Sequence, residues 1–92
     1  MNTTQKTTWT PEEIESKVAQ IIAEQLDVDR QKVKREAALF VDLPMDSLDA
    51  IEVSMNCEEA FDIDVPEDAS FRTVGDIIDY IVAETSSRPT QG

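Results

Sequence analysis

Ninety-two residues with a formal charge of −12, from 20 Asp and Glu against 8 Lys and Arg, make one small acidic domain, which repels nucleic-acid phosphates and anionic membrane surfaces and attracts basic protein patches. There is no His, and Cys57 is the one cysteine, which excludes an internal disulfide, the usual zinc cage and the commonest general base. No apolar run approaches the roughly 20 residues that span a bilayer, and there is no secretory signal core, Gly-rich phosphate loop or Gly-x-Ser-x-Gly elbow, so the expectation is a cytoplasmic, monomeric, non-enzymatic protein with no stable membrane insertion and no deep catalytic cleft.

Along the chain, residues 1–8 read as a flexible polar leader. Thr10 caps a first helix with Pro11 in its first position, Glu13 completes a capping box and Trp9 staples onto Ile14. Ile14, Val18, Ile21, Ile22 and Leu26 recur at the spacing of one buried helical face, which stops near Asp27. From Val28 to Met45 the periodicity weakens around a basic cluster, Arg30, Lys32, Lys34 and Arg35, and a long ordered loop is expected, with Val33, Leu39, Phe40 and Leu43 as its apolar anchors. Pro44 keeps Leu43 out of helical backbone, so the second helix begins after it, capped by Asp46, and runs to about Phe61. Residues 62–66 form a break, and 67–72 leave room for a short helical turn around Phe71. In the last helix Thr73 and Asp76 form an acidic capping box, Val74, Ile77, Ile78 and Ile81 give the apolar face, and Gly75 is a small penalty. Residues 84–92 have nothing to bury and are expected to form a disordered tail. The class is all-α.

The second helix carries two apolar stripes. At 100° per residue, Ala50, Val53, Cys57 and Phe61 fall within about 80° of one another, whereas Leu48, Ile51 and Met55 cluster about 150° away among Glu52, Glu58 and Glu59. Only the first can face the core of a small bundle. The second, framed by carboxylates, reads as a protein-docking strip, and residues 36–71 hold eleven acids and no base. Ser47 opens this helix, where unpaired N–H groups and the positive dipole end favour an attached phosphate, although a Ser there is ordinarily just a capping residue.

Asp46-Ser47-Leu48 within Asp42-Leu43-Pro44-Met45-Asp46-Ser47-Leu48-Asp49-Ala50-Ile51-Glu52 resembles the attachment signature of acyl carrier proteins. Glu58-Glu59-Ala60-Phe61, Ile63-Asp64-Val65-Pro66 and the run from Thr73 to Ile81 continue the order of that family, and Ile21 to Leu26 fits its first helix, so the resemblance covers residues 9–83. It implies a four-helix bundle with a long loop between helices one and two and a short third helix. It also implies that Ser47 receives 4′-phosphopantetheine from coenzyme A through a separate holo-acyl-carrier synthase, a phosphopantetheinyl transferase, making Ser47 a substrate rather than a nucleophile activated in place. Carried over residue by residue, Asp46 is the flanking contact, Leu48, Ile51 and Met55 are the apolar docking strip, and Asp49, Glu52, Glu58 and Glu59 meet basic patches on acyl-loading, condensing, reducing and transferring enzymes. Ala50, Val53, Cys57 and Phe61 would line an acyl pocket.

Departures from the family pattern lie at Pro44 and Met45, where a Gly and a small or variable residue are common, at Ser54, Asn56 and Cys57, where aliphatic or small apolar residues are common, and in the short spacing from Pro66 to Val74. The favoured function is carriage of growing acyl chains in dissociated (type II) fatty acid biosynthesis, with a carrier dedicated to polyketide, peptide or special lipid synthesis as the alternative. An unmodified helical interaction subunit using only the docking strip is the alternative of another class. A calcium-sensor loop counted from Asp62 fails, because its sixth position is Glu67 instead of Gly and its twelfth is Thr73 instead of Glu.

Overall fold

The computed structural model describes residues 9–66 and 69–86, and the expected leader at 1–8 lies outside them. Helix α1 spans Pro11–Leu26. Its start is the expected capping box: the Glu13 N–H donates to the Thr10 hydroxyl and the Thr10 N–H to the Glu13 carboxylate, each at 3.1 Å. Pro11 in the first turn has no N–H to leave unpaired. Ile14, Val18, Ala19, Ile21, Ile22 and Ala23 form the buried face. The helix ends at Asp27, which takes left-handed backbone (φ 58°) so that its N–H can return to the Ala23 carbonyl. Trp9, expected to staple onto Ile14, packs its ring edge-on against Phe61, with centroids 4.7 Å apart. That contact ties the start of α1 to the end of α2 and so sets the two helices antiparallel.

Helix α2 spans Ser47–Phe61 and α3 spans Val74–Ser86. α1 packs against both. The core draws Val53, Cys57 and Phe61 from α2, and Val74, Ile77, Ile78 and Ile81 from α3. Burying this aliphatic set at about 25 cal/mol per Å² is the main term that offsets the entropy of ordering so short a chain.

The loop between α1 and α2 is ordered, as expected, with a single 3-10 turn at Arg30–Lys32. Val33, Ala37, Leu39, Leu43 and Met45 anchor it in the core. Phe40 is not an anchor: it is 54% exposed. The loop is stitched to the start of α3 by an isolated antiparallel bridge between Ala38 and Thr73, with the Leu39 N–H on the Arg72 carbonyl (2.9 Å) and the Val74 N–H on the Ala37 carbonyl (3.1 Å). Gly75 is buried beneath this seam and donates its N–H to the Arg35 carbonyl at 2.8 Å. A Cβ on Gly75 would lie 3.2 Å from that carbonyl oxygen. The residue that sequence reading counts as a helix penalty is therefore what permits two backbones to touch.

α3 starts with the expected acidic box. The Thr73 N–H donates to the Asp76 carboxylate and the Asp76 N–H to the Thr73 hydroxyl, both at 3.2 Å, and the Arg72 N–H joins at 2.9 Å. The backbone N–H groups of Arg72 and then Thr73 hold the Asp76 carboxyl below its ordinary range. The helix runs through Ser86, three residues into the segment 84–92 expected to be a tail; residues 87–92 lie outside the described part. Thr85 belongs to the last turn because its hydroxyl donates to the Ile81 carbonyl at 2.9 Å. The fold is all-α, with three α-helices among the described residues. Around Phe71, where a short third helix was expected, residues 69–72 are non-helical, and residues 67 and 68 lie outside the described part. Phe71 instead packs edge-on against Tyr80 of α3, with centroids 5.6 Å apart.

Candidate functional site

Ser47 is the first residue of α2 and is exposed. Asp46 caps the helix, as expected, from extended backbone (φ −117°, ψ −175°), and its carboxylate accepts the Asp49 N–H at 2.9 Å. Asp49 answers by accepting the Asp46 N–H at 3.3 Å. An α-helix opens with four N–H groups that lack an intrahelical partner. The box uses those of Asp46 and Asp49, leaving the Ser47 and Leu48 N–H groups at the positive end of the helix dipole beside the Ser47 hydroxyl. An esterified phosphate fits there: acceptor oxygens meet N–H donors and a favourable partial charge.

Of the two stripes on α2, one is buried and one is not. Val53, Cys57 and Phe61 are buried and Ala50 is half-buried, whereas Leu48, Ile51 and Met55 are 63%, 56% and 58% exposed. The acids around the strip divide into two kinds. Glu52 and Glu59 are exposed. Asp49 and Glu58 are already engaged: Asp49 closes the cap and accepts from the Gln25 side chain at 3.2 Å, and Glu58 accepts the Val65 N–H at 2.8 Å.

A cleft of about 730 Å³ opens between α2, α3 and the two loops. Its walls include Met45, Ala50 and Ile51, which bracket Ser47 within one helical turn, together with Val53, Leu39, Val65, Phe71 and Ile77. Of the four residues expected to line an acyl pocket, Ala50 and Val53 lie in the wall of this cleft. Cys57 lies deeper, beside a small side void that Val53, Phe71 and Ile77 share with the main cleft. Phe61 is turned toward Trp9 and contributes to neither. The pocket prediction took the stripe as a single wall, but four residues spaced along α2 reach opposite ends of the bundle. Leu39, Phe71 and Ile77 escaped sequence reading because each joins the wall through a contact between distant segments; the only signal was their apolar character outside the α2 stripe.

Cys57 is 1% exposed, and burial, with the nearby Glu58 charge, pushes its thiol up to about 12. It is a core residue with no thiolate to offer near neutral pH. Among the described residues no group of three or more Asp, Glu, Cys or His is gathered to hold a metal ion, and no helix is long and apolar enough to cross a membrane.

The profile of the phosphopantetheine attachment site family matches residues 16–81. Proteins named "Acyl carrier protein" from two strains of Porphyromonas gingivalis are each 44% identical to this chain over 71 residues, covering 75% of this chain and 91% of the relative.

Proposed function

This chain belongs to the acyl carrier protein family, and on that premise we propose that Ser47 is the attachment residue and that the carrier serves dissociated (type II) fatty acid biosynthesis in the cytoplasm. Members of the family are carriers rather than enzymes, and 4′-phosphopantetheine is the group they bear. When bound, its terminal thiol holds acyl groups as thioesters. The observation that carries the reading is the position of Ser47: exposed, first in a capped helix, beside two N–H groups outside the capping box, and one turn from a cleft rimmed by Met45, Ala50 and Ile51.

The chain's own residues then have separable tasks. Asp46 and Asp49 fix the start of α2 and so the direction of the Ser47 hydroxyl. Leu48, Ile51 and Met55 give a partner its apolar contact, while Glu52 and Glu59, with the remaining acids of residues 36–71, steer basic patches toward it. Exposed ion pairs each contribute little and are screened by salt, so the expected encounters are fast, weak and salt-sensitive. Such binding suits a carrier that visits loading, condensing, reducing and transferring enzymes in turn. The cleft shelters an apolar cargo. Met45 favours a second reading, a carrier for polyketide, peptide or special lipid synthesis, because this large side chain is buried at the cleft rim two residues before Ser47.

The test is intact mass after incubation with coenzyme A, magnesium and a promiscuous phosphopantetheinyl transferase. The Ser47 oxygen forms the new phosphoester, the pyrophosphate linkage of coenzyme A breaks, adenosine 3′,5′-bisphosphate leaves and the hydroxyl proton passes to the transferase. One added arm on wild type and none on Ser47→Ala is expected. No gain on either protein, with an active control, overturns the assignment. Elongation of the loaded chain to a saturated long-chain acyl group by a purified dissociated synthase supports the fatty-acid pathway, and refusal at the condensing step supports the specialised reading.

A further inference from the structure

Among the described residues, the side chains that line the cleft of about 730 Å³ are apolar except for Ser54, Glu58 and Ser70. Ser70 is exposed, where water serves its hydroxyl, and the Glu58 carboxylate already accepts the Val65 N–H at 2.8 Å. Ser54 is half-buried in α2, and its hydroxyl makes no hydrogen bond among the described residues. A helical hydroxyl can return to the carbonyl one turn back, as Thr85 does in α3 to Ile81 at 2.9 Å. No buried side-chain oxygen or nitrogen among the described residues lacks a partner, so the Ser54 oxygen is open to accessible space rather than sealed in the core. The residue borders both the cleft and the small void beside Cys57. At that void the Tyr80 hydroxyl is already used, donating to the Asp64 carbonyl at 2.9 Å.

Two turns of helix separate Ser47 from Ser54, so the two lie within about 20° of each other around α2 and about 10 Å apart along its axis, with Ala50 and Ile51 of the cleft wall between them. We infer that Ser54 is a specificity-determining residue of the cleft, which selects acyl chains bearing a keto or hydroxyl oxygen over saturated chains of the same length. A saturated chain that fills the cleft strips water from the Ser54 hydroxyl and returns nothing, whereas a chain oxygen at the same depth restores the hydrogen bond. The Ser54 hydroxyl both donates and accepts, so it serves a keto group and the alcohol formed by its reduction. The Glu58 carboxylate only accepts and cannot serve a keto oxygen. Condensation of two thioesters leaves a keto group and reduction leaves a hydroxyl, so reactions of those classes supply such a cargo. The selection rests on the reading of the chain as an acyl carrier for its use, and it names the class of chain that the cleft favours.

The experiment is a titration of the 15N-labelled unmodified chain with N-acetylcysteamine thioesters of octanoic acid and of its 3-, 5- and 7-keto derivatives, which need no attachment to Ser47. Shifts of the amides of residues 50, 53, 54, 71 and 77 give the affinities. The keto thioester that binds wild type most tightly should weaken about fivefold relative to the octanoyl thioester in Ser54→Ala. Ser70→Ala should leave that ratio unchanged, and Ser54→Ala should keep the melting temperature of wild type, because Ala is the better helix former. An unchanged ratio in Ser54→Ala, an equal fall in Ser70→Ala, or no shift of these amides with any of the thioesters overturns the selection. Failure of wild type to gain the arm in the mass experiment strikes the assignment of Ser47 instead and leaves the titration standing.

Discussion

The Glu58 carboxylate, on the face of α2 that bears Met55, accepts the Val65 N–H at 2.8 Å and so ties one wall of the cleft to α2. A second tie, from the Tyr80 hydroxyl to the Asp64 carbonyl at 2.9 Å, holds the same segment to α3. Glu58→Ala removes the first tie and leaves a half-buried N–H to find water. A loss of about 1–2 kcal/mol is expected, with faster hydrogen exchange at the Val65 amide. Glu59→Gln, which removes the same charge from the neighbouring position, should leave Val65 exchange unchanged; equal acceleration in both variants would mean that charge alone, not the bond, protects the segment.

Asp46 caps α2, and the recognition role proposed for its charge is separable from that cap. Asn caps a helix as well as Asp does, whereas Ala costs about 1 kcal/mol. Asp46→Ala should therefore lower the melting temperature and Asp46→Asn should not, while both slow arm transfer to Ser47 because the negative charge is gone. Unimpaired transfer to the Asn variant would show that Asp46 acts through the cap alone.

Gly75→Ala is expected to destabilise, against the usual gain from replacing Gly in a helix. The added Cβ meets the Arg35 carbonyl at 3.2 Å, an oxygen already fixed by the Gly75 N–H at 2.8 Å, while the Arg35 side chain is held by Asp79, also at 2.8 Å. Crowding of this kind costs about 1–3 kcal/mol and exceeds a propensity gain of at most about 1 kcal/mol. The measurement is urea unfolding, and a variant as stable as wild type would show that the loop seam yields.

Cys57 links stability to alkaline pH. Its thiol is pushed up to about 12 by burial, above the value near 8.5 of an unfolded chain. With the folded pKa the higher, the contribution is complete below about pH 8.5 and is lost as pH rises toward 12, because the unfolded chain releases its proton first. Wild type should therefore lose stability more steeply than Cys57→Ala above pH 9. Tyr80, also raised, by burial first and then by Glu84, is common to both proteins and cancels in the comparison. Alkylation of native protein at pH 8 should be negligible until denaturant is added, and rapid native labelling would contradict the burial.

Net charge sets the response to ions. A chain carrying −12 is destabilised by its own repulsion, so millimolar magnesium or calcium at low ionic strength should raise the melting temperature by screening rather than by a built site. A flat response would show that the acids do not strain the fold.

The local signals were legible in the sequence because their partners are three or four residues apart. Thr10 with Glu13, Asp46 before the second helix and Thr73 with Asp76 mark all three helix starts, and the two stripes of α2 separate into one buried and one exposed by angular spacing alone. Asp49 shows the limit of that reading. Its acidic character pointed to docking, yet it also completes the α2 cap.

What only the tertiary structure decided are the features made by distant segments, since side-chain pattern along one element says nothing about which element it meets. Gly75 permits a backbone contact with Arg35, forty residues earlier in the chain, and Phe61 turns toward Trp9 instead of the cleft. Glu58 spends its carboxylate on Val65. Val41, apolar like the anchors beside it, is exposed on the turn that Asp42 closes, and Phe40 lines the cleft instead of the core. The sequence by itself determined the helices, their caps and the serine with its signature; packing determined the shape of the cleft and which of the surrounding residues stay exposed.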